Sequence, residues 1–132
     1  MKSEGLNAAT PWIRAASGLE IVTGLGLVVA PSLLTRLLFG SGMNAAGETT
    51  GRIAGLVMLC LAAGCWPDAV GAAQPRTLVA LMALSWLATA FLVASGAIGA
   101  TVGILLWPAA ALHLFLAVLL TWAWMGGRGA AR

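Results

Sequence analysis

Residues 13–30 read IRAASGLEIVTGLGLVVA, an apolar run with one carboxylate, Glu20, set in its middle. At 1.5 Å per residue the run covers about 27 Å, close to the hydrocarbon thickness of a bilayer, so it is a membrane-span candidate. A charged side chain near the bilayer centre costs roughly 2.5–3.5 kcal/mol on insertion scales. Glu20 is therefore expected to be neutral, paired or turned into an interior cavity, and the rest of the chain must supply its surroundings.

The remainder of the sequence is equally apolar. Of 132 residues 61% are hydrophobic and 8% charged, whereas a soluble domain carries about 25% charged residues. Such a chain cannot cover a water-facing surface, and an integral membrane protein is expected. The length leaves room for one all-α domain of four spans, at about 11–30, 50–67, 77–97 and 104–125. The expected architecture is a membrane four-helix bundle with a short interfacial helix after the first span.

The net charge of +3 comes from seven scattered Lys and Arg, which points to orientation and lipid contact and away from nucleic acid. The first apolar run is longer than a signal-peptide core, so the N-terminus is expected to be retained. Cys60 and Cys65 fall five residues apart in one span, about 140° apart around a helix, and imply no disulfide.

Residues 1–10 are polar, and Pro11 suits the first turn of a helix. Pro31 ends or kinks the first span. The following SLLTRLLF reads either as a short amphipathic helix in the interface or as a continuation of a long kinked helix. GSGMNAAGETT, residues 40–50, reads as a loop. Gly51 and Gly55 give a GxxxG spacing that permits close helix approach, and Gly99 and Gly103 give a second. Arg52 is placed to contact lipid phosphate, pair with Glu48 or close a cavity over Glu20. Arg36 is a second rim or lipid-contact candidate. With four spans, Lys2, Arg14, Arg76, Arg128 and Arg132 share one side, against Arg36 and Arg52 on the other. The positive-inside rule then places both termini in the cytoplasm.

Aligning the spans by their midpoints brings Glu20, Cys60, Ser85 or Trp86, and His113 to a similar depth. Glu20 and His113 are the two strongly ionisable groups there, and a carboxyl and an imidazole in low dielectric can share a proton more cheaply than either is charged alone. Together with Trp86 and Ser85 they form the candidate buried polar site. Three roles suit it. One is a non-enzymatic accessory or self-associating subunit, with the pair as a structural hydrogen bond. Another is a proton-coupled transporter, with Glu20 as the exchanger and Trp86 as a stacking surface. The third is a redox subunit in which His113 ligates haem. No cofactor is predicted, haem or quinone being the alternative, and no metal site is predicted. The chain has no phosphate loop, no HExxH and no carboxylate cluster, which argues against an enzyme.

Four short spans with an isolated carboxylate in the first resemble the small multidrug resistance transporters, in which such a Glu is the coupling site, and Glu20 is the matching position. This chain departs from that family in having no Tyr and in lacking its aromatic and glycine pattern. SGLEIVTGLGLVVAP, then LLFG, then GRIAGLVMLCLAAGCW, together residues 17–66, are more similar to the small bacterial four-span proteins grouped as DoxX-like. That resemblance implies a four-helix bundle in a bacterial inner membrane with redox or quinone partners, and it transfers no catalytic residue.

Overall fold

The apolar segments form four long helices, and a short one follows the first: α1 (Ser3–Val29), α2 (Pro31–Phe39), α3 (Ala45–Cys65), α4 (Pro75–Ile98) and α5 (Leu106–Gly129). The computed structural model describes residues 3–67, 75–99 and 101–129, with side chains described for 9–67, 75–99 and 101–126. All four long helices are long and apolar enough to cross a membrane. The protein is an all-α, multi-pass membrane bundle, as its composition and spacing led us to expect.

The helix that carries Glu20 is the hub, since α1 packs against each of the other four. Its contact with α3 is made through glycine. A Cβ on Gly55 would lie 2.6 Å from the Gly24 carbonyl oxygen and 2.9 Å from Leu27 Cβ and Val28 Cγ2. Reciprocally, a Cβ on Gly24 would lie 2.9 Å from the Gly55 carbonyl oxygen. Gly51 faces Pro31 in the same way. The Gly51/Gly55 spacing is thus used within the chain, where it lets two backbones meet.

The two ends of the bundle are built differently. At one end Ala9, Ile13, Ala16, Cys65, Leu78, Leu81, Leu116 and Leu120 form a continuous buried core. Trp12 packs against this core and meets Phe115 edge to face, with ring centroids 6.5 Å apart.

The other end is capped by α2. Ala30 adopts φ −143°, ψ 63°, because the residue before a proline is pushed out of the helical region. Pro31 therefore starts a separate helix and does not continue α1. Gly40, at φ 74°, ends α2 in the left-handed conformation that favours glycine, and its N–H donates to the Arg36 carbonyl at 3.0 Å.

The connection between α4 and α5 completes this cap. The N–H of Gly103 donates to the Leu38 carbonyl at 3.0 Å, that of Leu105 to Leu37 at 2.9 Å, and Thr101 Oγ1 to Phe39 at 3.1 Å. Carbonyls that a helix end leaves open are thereby satisfied by a distant part of the chain. Gly99 and Gly103 lie outside any helix, so their GxxxG spacing is not a helix-packing motif. Its second glycine gives room for backbone, because a Cβ there would run into the Leu37 carbonyl.

Other boundaries also differ from expectation. α1 begins at Ser3, so Pro11 lies inside it, on an exposed face, rather than in its first turn. α3 begins at Ala45 and takes up half of the expected loop. Asn44 caps it by accepting from the Gly47 N–H at 2.8 Å, and the Thr49 and Thr50 hydroxyls bond back to the carbonyls of Ala45 and Ala46. α5 continues through Gly126 and Gly127 to Gly129. Most of the expected second connection, residues 68–74, lies outside the described residues.

Candidate functional site

Beneath α2 the helices do not close on one another, and a cavity of about 520 Å³ remains. Leu19, Glu20, Val22 and Thr23 of α1 line it, with Leu34, Leu38 and Phe39 of α2 above them. From α4 come Leu84, Ala88, Phe91 and Leu92, from the turn before α5 Leu105, and from α5 Pro108, Ala109, Leu112 and His113; α3 contributes Met58. The lining is apolar except at Glu20, Thr23 and His113. Phe39 and Phe91 meet edge to face at 6.1 Å and link α2 to α4 across one side. Val22, Phe91 and Leu112 are exposed, so the cavity is not sealed from the surface of the spans.

Glu20 and His113 mark the floor of this cavity. Ala16, one turn before Glu20, and Leu116, three residues after His113, both belong to the packed core. The two residues therefore stand where the filled half of the bundle gives way to the hollow half. Glu20 is 3% exposed and His113 half-buried. Glu20 Oε2 and His113 Nδ1 are sealed from solvent and have no hydrogen-bond partner among the described residues. Oε1 and Nε2, the other polar atom of each group, are not among the sealed atoms and carry no hydrogen bond among the described residues. Ser17, fully buried one turn below Glu20, leaves its Oγ unpartnered as well. An unsatisfied buried polar group costs about 1–3 kcal/mol, so three of them in a small bundle require an explanation.

The structure separates the other expected members from this pair. Ser85 is buried in α4 but donates to the Leu81 carbonyl at 2.8 Å, and in turn its own carbonyl accepts from Thr89 Oγ1. Trp86 is 43% exposed and donates from Nε1 to Thr121 Oγ1 at 3.1 Å. Neither lines the cavity. Trp86 sits on the outer face of the bundle, where an α4–α5 hydrogen bond answers its N–H, so it offers no stacking surface over Glu20. Arg52 is exposed and lies 3.9 Å from Glu48, one of its expected roles. Arg36 is exposed in the last turn of α2. Cys60 is exposed and Cys65 buried, and both are free.

Sequence reading missed Thr23 and the α2 leucines as lining residues. Ser17, Glu20 and Thr23 follow one another at three-residue spacing and so share a face of α1, a signal that was available. The part played by Leu34 and Leu38 was not, because it depends on how α2 folds back over the bundle. Among the described residues no three His, Cys, Asp or Glu side chains gather closely enough to hold a metal ion.

Chemically, the arrangement is an apolar recess with hydrogen-bonding groups at its closed end. It falls within the usual 300–1,000 Å³ range of small-molecule sites, which combine apolar walls with a few polar groups that fix orientation. Comparison with protein-family models, with curated proteins and with solved structures finds no match to this chain.

Proposed function

We propose that this protein is a non-enzymatic membrane protein of a bacterial inner membrane that holds a small, mainly apolar molecule in the cavity beneath α2. One observation carries the reading: a glutamate only 3% exposed, its carboxyl without a hydrogen-bond partner among the described residues, on the lining of an unfilled apolar cavity that it shares with His113. A carboxyl retained only to fix helix register would be expected to carry a bond across helices, and Glu20 carries none among the described residues. The Gly51/Gly55 spacing, which permits close helix approach, is already used between α1 and α3. Binding therefore takes precedence over assembly, and an accessory role in a larger complex would follow from the molecule held. The distribution of Lys and Arg supports cytoplasmic termini, with α2 and its cap on the opposite side.

Thermal stability of the protein in lipid nanodiscs, measured with and without added apolar small molecules, tests this reading. A ligand that binds the folded state raises stability by mass action. The shift is expected in the natural protein and lost in Ala109→Phe, which fills the cavity; an equal shift in both would overturn the reading.

A second reading, a proton-coupled carrier, is favoured by the freedom of the Glu20 carboxyl to exchange a proton for cargo. Glu20→Gln distinguishes it: loss of proton-linked flux in vesicles with folding intact supports a carrier, and unchanged flux opposes it.

A further inference from the structure

Resting on the binding role proposed above, we infer that the cavity selects a neutral amphiphile with a single hydroxyl head, a long-chain alcohol. Its head lies between Glu20 and His113 and its tail runs toward α2. The recess has one polar end and one apolar end. From His113 to Leu106, where α5 begins, is seven residues, about 10 Å at helical rise, and Leu34, Leu38 and Leu105 line the recess toward that end. An extended alkyl chain matches that shape.

The head group is chosen by what the floor lacks. Among the described residues no Lys or Arg lines the cavity, so a carboxylate or phosphate head would be buried without a counter-charge. An ammonium head would meet a carboxyl, but a buried ion pair recovers its desolvation cost only where further hydrogen bonds complete both ions. Among the described residues no group donates to the Glu20 carboxyl. A plain hydrocarbon leaves carboxyl and imidazole as unsatisfied as they are now. A hydroxyl carries no charge and both donates and accepts. It can therefore bond the acid and the imidazole through Oε1 and Nε2, the atoms of each group that are not sealed, at no cost in buried charge.

The test uses the protein in phosphatidylcholine vesicles, labelled with a diazirine-bearing decanol and mapped by peptide mass. Decanol, decanoate, decylamine and decane serve as competitors, since they share one tail length and differ only in the head. Labelling is expected within residues 34–39 and 105–113, with decanol competing at least tenfold better than the other three. Glu20→Leu should erase that advantage, while Glu20→Gln, whose amide still donates and accepts, should keep most of it. Should Glu20→Leu fail to fold, His113→Leu makes the same comparison. Equal competition by all four heads, or a lead for the amine or the acid, would overturn the assignment of a hydroxyl while leaving the binding role standing. Labelling of residues 34–39 and 105–113 no stronger than that of the outer face of α3 would overturn the binding role itself.

Discussion

Replacing Gly55 by alanine sets two effects of known size against each other at the junction of α1 and α3. Within a helix, alanine in place of glycine gains about 1 kcal/mol of propensity. Against this, the new Cβ would stand 2.6 Å from the Gly24 carbonyl oxygen and 2.9 Å from Leu27 Cβ. Carbon and carbonyl oxygen normally approach to about 3.3–3.6 Å, so the helices must separate by several tenths of an ångström. The obstructing atom is backbone, which no rotamer change can move aside, and the cost belongs at the upper end of the 1–3 kcal/mol expected for overpacking. A net loss of about 2 kcal/mol follows. Gly64, on the same helix, has nothing within 4 Å of its would-be Cβ, and neither does Gly18 on α1. Gly64→Ala and Gly18→Ala should each gain up to about 1 kcal/mol. Unfolding from detergent micelles by graded addition of SDS, followed by helical circular dichroism, measures all three. If Gly55→Ala proves as stable as Gly64→Ala, the α1–α3 backbone contact described here is wrong.

Three further outcomes are expected. Glu20→Leu removes a sealed, unpartnered carboxyl oxygen and should stabilise the bundle in the same assay by about 1–3 kcal/mol; destabilisation would mean that Glu20 holds a structural bond. Gly103→Ala drives a Cβ into the Leu37 carbonyl and should break the loop's two backbone bonds to α2, each worth about 0.5–1.5 kcal/mol. Hydrogen exchange at the Leu105 amide should accelerate, and unchanged protection would count against the cap. A lipid-soluble maleimide should modify exposed Cys60 and spare buried Cys65, and the reverse order would require α3 to be rotated about its axis.

Much of this architecture is written locally. Four apolar runs and a sparse charge content suffice for the membrane bundle, and Pro31 suffices to separate α2 from α1, because its ring restricts Ala30 whatever the surroundings. The depth of Glu20 and His113 follows from their positions near the middle of their spans, and the structure does bring them to one cavity. What local pattern cannot show is which way an apolar helix faces. α4 is apolar around its whole circumference, so nothing in its sequence tells that Trp86 looks outward and Ser85 inward; its neighbours decide that. The start of α3 was legible at Asn44, whose capping role competes with the loop-like look of the glycines and threonines beside it. Gly103 carries no local signal at all, since the carbonyls it meets lie more than sixty residues earlier in the chain.

A ligand in the cavity must be able to reach Glu20. Dicyclohexylcarbodiimide, an apolar reagent that partitions into membranes and converts a carboxylic acid to a stable N-acylurea, tests this directly when the modified residue is identified by peptide mass. Modification at Glu20 is expected in the natural protein, slowed at least tenfold by Ala109→Phe with the fold intact. An unmodified Glu20, or a rate that the filled cavity leaves unchanged, would contradict such access.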